Sequence, residues 1–234
     1  MQRRRFWGGM GLTGFEAALS PLWLTLKVAS WAMVLAGSAG IALGWWMARH
    51  NFRGQAVLDA ALLLPMVLPP TVLGYYLIVL IGRNGWLGQS LDRWLGIELL
   101  FTWQGAVIAA ALVALPLVYK AARAAFEDIN PSVEAAARTL GAGEFEIFLR
   151  IALPLALRGI GAGLMLGFAR ALGEFGATLM VAGNLPGQTQ TLSLAVYEAV
   201  QAGNDAKALW LTGVISVVCM AVLLASSRLL RVRH

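Results

Sequence analysis

INPSVEAAARTLGAGEFEIFLRIALP, residues 129–154, is the polar stretch around which the chain is organised. Apolar segments long enough to cross a bilayer lie on both sides of it. Asn130-Pro131-Ser132 is a helix-start signal in which Ser132 can cap, and 134–140 is a strong helix-forming run. Gly141 ends that run, as a C-terminal glycine does. A second short helix is expected over 144–153, stopping near Pro154. The product is two short helices at an angle. They expose the small side chains of Ala135, Ala136 and Ala137, flanked by Arg138. An island of this kind sits outside the hydrocarbon. It either receives a partner or lies as a passive interfacial hairpin.

The surroundings set the class. Of 234 residues, 59% are hydrophobic and 13% are charged, against about 25% charged in a soluble domain. The expected fold class is therefore an all-α polytopic membrane protein, here a single transmembrane domain over 1–234. Barrel strands would be short and alternate in polarity, which these runs do not. The net charge of +6 suggests nucleic acid at first. The Arg and Lys residues instead flank the apolar segments, so they read as topology signals and no nucleic-acid partner is expected. The lone Cys219 lies in an apolar run and excludes an intrachain disulfide. Two isolated histidines make no metal site, and no nucleophile–base pair points to an enzyme.

Five spans are expected, over 22–47, 56–81, 103–119, 155–182 and 208–225. Ser20-Pro21 reads as the start of the first. The second contains Pro65, Pro69 and Pro70, which either kink it for packing or line a pathway. The third is interrupted by Pro116. Residues 82–102 and 183–207 read as loops of low net charge on the outer face, and 192–200 as a short helix there. Basic connectors at 48–54, 120–158 and 228–234 then all fall in the cytoplasm. Arg3, Arg4 and Arg5 fall outside by this count. Three explanations stand: a violation of the rule, a surface position for 6–19, or a misassigned start. No cleaved leader is expected, and no regulatory domain after the fifth span.

The island also carries a resemblance. Ala136-Ala137-Arg138-Thr139-Leu140-Gly141, nine residues, then Ile151-Ala152-Leu153-Pro154 resembles the EAA loop of ABC-importer permeases of type I. The Gly-to-Pro register fits in full, while the Glu position of the pattern holds Ala135 and Glu134 precedes it. The resemblance implies that 120–154 is a cytoplasmic coupling loop. Glu134, Ala135, Ala136, Ala137, Arg138, Thr139, Leu140, Gly141, Ile151, Leu153 and Pro154 would dock there into a separate ATP-hydrolysing subunit. The chain has no phosphate-binding glycine loop of its own, so ATP and Mg would belong to that subunit and this chain needs no cofactor. FARALGEFGAT at 168–178 and GNLPGQTQTL at 183–192 are similar to molybdate permease subunits and, less closely, to sulfate permease subunits. LLPMVLPPTVLGY at 63–75 is similar to the molybdate branch as well. The resemblance implies an inner-membrane importer built from two copies of this chain, two ATP-binding subunits and an external oxyanion-binding protein.

Within the fourth span Gly159, Gly163 and Gly167 recur every four residues and form a smooth face for helix packing. Arg170 and Glu174 share a face deeper in the span. Either charge unpaired at mid-membrane costs roughly 2.5–3.5 kcal/mol on insertion scales. The two readings are an internal salt bridge that orders the helix, and an arginine that lowers the barrier for an anion in a wet pathway. Two other classes remain at this point. A stand-alone secondary transporter would show paired repeats or charges spread over several spans, and a scaffold would use the island and glycines for assembly alone.

Overall fold

A computed structural model of the chain describes residues 12–230. Arg3, Arg4 and Arg5, and Arg231 and Arg233 of the basic tail, lie outside the described residues. In chain order the helices are α1 (Leu12–Arg49), α2 (Gln55–Val67), α3 (Pro70–Ile81), α4 (Trp86–Leu95), α5 (Trp103–Glu127), α6 (Pro131–Thr139), α7 (Glu144–Ile147), α8 (Leu153–Leu172), α9 (Gly176–Ala182), α10 (Leu192–Gln201) and α11 (Asp205–Leu230). A π-helical turn, Phe148–Ala152, joins α7 to α8. Regular structure among the described residues is all helical. Among the described residues four helical runs have the length and apolarity of a membrane span, and a fifth is counted if α2 and α3 form one broken span.

α5 is the axis of the molecule. Its alanines (Ala106, Ala109, Ala110, Ala114 and Ala122) are fully buried. Small side chains let neighbouring backbones come close, which is how helices gain contact energy where lipid is as apolar as the core. α1 uses that freedom on one side. A Cβ at Gly44 would lie 2.9 Å from both Ala122 Cβ and the Arg123 backbone nitrogen. α8 uses it on the other. A Cβ at Gly159 would sit 2.6 Å from Ala125 Cβ, one at Gly163 2.5 Å from Ala121 Cβ, and one at Gly167 3.0 Å from Val118 Cγ2. Three backbones thus meet with almost nothing between them.

Several boundaries differ from the sequence expectation. α1 runs straight through Pro21 from Leu12. At 1.5 Å per residue its 38 residues reach roughly 57 Å, well beyond the hydrocarbon thickness. α5 passes Pro116 unbroken and continues to Glu127, because Lys120 and Arg123 are helix formers that find a partner in Asp59 at 2.9 and 3.1 Å. The proline's missing hydrogen bond is tolerated inside a helix gripped on two sides.

The second expected span is broken rather than kinked. α2 and α3 meet at 114°. Leu68 and Pro69 are both extended (ψ 140° and 136°), because a residue before proline is pushed out of the helical region and here two prolines follow in series. The fourth span is broken too, ending at Leu172 and restarting at Gly176. The island's second helix does the reverse. It does not stop at Pro154 but runs from α7 through the π turn into α8. The Leu153 N–H reaches back to the Phe148 carbonyl, so the backbone widens by one residue just before the proline instead of breaking. Phe148 is thereby set between Trp45 and Phe126, with ring centroids 5.0 and 6.2 Å away. Within 82–102, expected as a loop, α4 forms where no helix was expected, and Leu192–Gln201 folds as α10.

Replacing Gly163 by Leu should force α8 off α5. Overpacking of this kind costs about 1–3 kcal/mol or more, read as a lowered unfolding midpoint in detergent. Gly213, which has no atom within 4 Å of an added Cβ, serves as the control: Gly213→Ala should leave the midpoint unchanged or raise it.

Candidate functional site

The island is built from its two caps. The Asn130 side chain, not Ser132, caps α6 by accepting a hydrogen bond from the Ser132 N–H at 3.0 Å. Pro131 at the first helical position moves the start back by one residue. At the other end Gly141 takes φ +88°. The Ala142 N–H bonds to the Ala137 carbonyl (3.1 Å) and the Gly141 N–H to the Arg138 carbonyl (3.0 Å). This double closure needs the left-handed residue that glycine supplies. The tight turn throws Leu140 outward to 88% exposure. Phe145, Val133 and Leu149 of the island are exposed too. Ala135, Ala136, Arg138, Thr139, Gly141 and Pro154 are exposed as well, while Ile151 and Leu153 are half-buried. Covering two large apolar side chains such as Leu140 and Phe145 is worth about 1.5–3 kcal/mol each.

Glu134 and Ala137 are the exceptions. Three residues apart on α6, they face inward, so neither contributes to the exposed surface. The Glu134 carboxylate, 4% exposed, is held by Arg49, the last residue of α1. Arg49 Nε donates to Oε1 at 3.0 Å and Oε2 at 2.9 Å, and a second guanidinium nitrogen also contacts Oε1. That nitrogen donates in addition to the Phe126 carbonyl at 3.0 Å, in the last turn of α5. Arg138 approaches Glu134 at 3.6 Å and pairs with Glu144 at 2.6 Å. The Glu144 hydrogen bond raises the Arg138 pKa above its ordinary value. Sequence reading took Arg49 only as a topological charge. Its partner is 85 positions away, and no spacing rule reaches that far.

Arg170 and Glu174 form an ion pair at 2.9 Å, although the helix ends between them. Glu174 Oε1 accepts the Ala177 N–H at 2.9 Å and so closes the open first turn of α9. Its side chain is 2% exposed, whereas Arg170 keeps 38%. Arg170 is therefore the group of the pair that faces outward from the subunit. Among the described residues no group of three or more His, Cys, Asp or Glu could hold a metal ion.

These features can be set beside known proteins. The sequence profile of the binding-protein-dependent transport system inner membrane component matches residues 40–233. The chain belongs to this family. It is a multi-pass protein of the inner membrane. It is similar to the molybdenum transport system permease protein ModB of Escherichia coli (strain K12), with 45% identity across 89% of this chain and 92% of that one. It is 44% identical to the molybdenum transport system permease protein YvgM, so named as a probable assignment, of Bacillus subtilis (strain 168), covering 87% and 88%. The sulfate transport system permease protein CysT of Escherichia coli (strain K12) is 35% identical over 76% of this chain and 64% of its own. The fold is that of ABC importer permeases. An inward-facing methionine ABC transporter matches with TM-score 0.73 at 16% identity, covering 95% and 98%. A bacterial alginate ABC transporter matches with TM-score 0.75 at 17% identity, covering 96% and 82%.

In this inner-membrane component a second charged cluster holds α2, which buries none of its own residues. Asp59 accepts from the Tyr119 hydroxyl at 2.6 Å, from Lys120 at 2.9 Å and from Arg123 at 3.1 Å. Sequence reading missed Asp59, although a lone carboxylate in an apolar run is itself a signal of a buried partner.

Gly141→Val should cost about 1–2 kcal/mol, the penalty of a left-handed β-branched residue. Amides of 137–142 should lose hydrogen-exchange protection while those of α5 keep theirs. Asp59→Asn should release α2, seen as faster proteolysis around Gly54 with α5 unaffected.

Proposed function

We propose that the chain is the membrane-spanning subunit of an ATP-driven importer that carries molybdate from a periplasmic or extracellular binding protein into the cytoplasm. The observation that carries the cargo is the gradient among relatives. Two named for molybdenum transport are 45% and 44% identical and match almost end to end, while one named for sulfate transport is 35% identical and longer. Sulfate, and tungstate as a dianion of the same shape, are the competing cargoes.

In this reading two copies of the chain form the pathway between them, and one ATP-binding subunit docks on each island. ATP and Mg reside in those subunits, and this chain hydrolyses nothing. Leu140 and Phe145 are apolar side chains held out into water by a capped turn, which is what a protein partner would cover. Ala135 and Ala136 permit close backbone approach, and Gly141, Ile151, Leu153 and Pro154 shape the knob rather than touch the partner. ATP-driven closure draws the two islands together, and the pathway turns outward to receive cargo. Arg170, paired by Glu174, lowers the barrier for a dianion without holding it, since an importer must release its cargo inward.

Reconstitution of the chain with its ATPase and binding protein in liposomes tests this. Uptake of labelled molybdate should require ATP and resist excess sulfate. Uptake abolished by sulfate moves the cargo to sulfate, and uptake without ATP or the ATPase indicates a stand-alone transporter. Leu140→Asp combined with Phe145→Asp should cut uptake more than about tenfold, because two docking contacts of this size are lost. The chain itself should stay folded, since both side chains are already exposed.

A further inference from the structure

We propose that Arg49 is the positioning residue that ties the docking helix α6 to the membrane bundle, with Glu134 as its buried anchor rather than a contact for the ATPase. The mechanical part rests on geometry alone, and its consequence for transport rests on the function proposed above.

α6 is an outlying element, joined to α5 by three residues and to α7 by a glycine turn. Among the described residues, two ion pairs tie its side chains to the rest of the protein. One is Arg138–Glu144, with side chains 43% and 60% exposed. A pair this open to water contributes little and yields easily. The other is Arg49–Glu134, with side chains 19% and 4% exposed. A carboxylate at that depth must stay paired, and removing either partner leaves a buried charge uncompensated. The guanidinium makes the tie directional. Its planar fork holds both carboxylate oxygens and also the Phe126 carbonyl, an end group of α5. One side chain at the end of α1 thus fixes α6 against the inner ends of two long helices. A push on α6 has a stiff route into α1 and α5 through Arg49, and a soft one into α7 through Arg138.

The pair also explains a departure in the island. The Glu lies one place ahead of the docking pattern, on the inward face of α6, where it meets Arg49 and Ala137 is buried beside it.

Two measurements decide the matter. The first uses the full chain alone in nanodiscs and needs no cargo. Arg49→Lys keeps the charge but loses the fork. It should lower hydrogen-exchange protection of α6 amides about tenfold, while Arg138→Gln changes them less than about twofold. Amides of α5 report that the chain is folded. Equal effects of the two variants, or none, overturn the proposal.

The second uses the complete reconstituted complex. Arg49→Lys, Arg49→Gln, Glu134→Gln and the Arg49→Gln/Glu134→Gln double variant are compared for co-purified ATPase, ATP hydrolysis and molybdate taken up per ATP. All should retain the ATPase and hydrolyse ATP, while uptake per ATP falls about tenfold. The double variant should be no worse than either single one, as for residues acting as a unit. Uptake per ATP that stays at the unaltered value, with losses tracking only the amount of assembled complex, would reduce the pair to a structural role and overturn the coupling claim. Lost ATPase binding in Glu134→Gln with Arg49→Lys unaffected would make Glu134 a docking contact and overturn it as well. If the unaltered complex shows no ATP-driven uptake, the transport reading fails on its own, and the nanodisc measurement still decides the tie.

Discussion

The close approach of α1 and α8 to α5 is the constraint on which the rest of the structure depends. No hydrophobic drive separates helix from lipid inside a bilayer, so contact must come from fit. Gly44 on one side and Gly159 and Gly163 on the other leave no room for a methyl group against α5 unless something shifts, and Gly40 and Gly167 leave only a tight fit. Side chains on the outer surfaces of these helices can then vary freely. The broken element α2–α3 and the short helix α9 are hung from this three-helix slab.

Polar interactions are placed at the two ends of this slab and do different work there. At the end that carries α10 the Thr25 hydroxyl accepts the first N–H of α10 at 2.8 Å and donates to the Pro21 carbonyl at 2.7 Å. Gln190 bonds to Asn184 at 3.0 Å and to Glu198. These bonds close the 183–191 loop over the bundle. At the end that carries the island the interactions are ionic and join separate elements. Asp59 gathers α2 onto α5, and Arg49 gathers α6 onto α1 and α5. Arg170 and Glu174 form the charged pair between those ends, where the fourth span breaks. The break and the pair are one feature. The Glu174 carboxylate satisfies an N–H that the interrupted helix leaves open, and Arg170 neutralises that carboxylate.

Much of this was legible in the chain. The island was visible because charge inside an apolar sequence is costly and therefore informative. The caps of α6 were read within one residue, since Asn-Pro and Gly carry local backbone meaning. The four-residue glycine spacing pointed to a packing face, and such a face lies against α5. Local signals misled where two of them competed. Pro21 was read as a boundary and Pro116 as a break within a span, yet the helices ran through both. Pro69 and Pro70 were read as kinks, yet in series they turned the chain by 114°. Pro154 was read as a stop, and a π turn absorbed it.

The sequence by itself determined the class, the position of the polar island and the family resemblance. The class and the island follow from composition and from spacings within about 25 residues, where periodicity, capping and proline act directly on the backbone, while the resemblance rests on the motifs at 63–75, 136–154, 168–178 and 183–192. Only the tertiary structure decided which charges meet. Arg49 with Glu134, and Asp59 with Tyr119, Lys120 and Arg123, are separated by 60 residues or more. They become neighbours only after α1, α2 and α5 have packed. A buried charge announces that it needs a partner, but the identity of the partner is a property of the packed bundle.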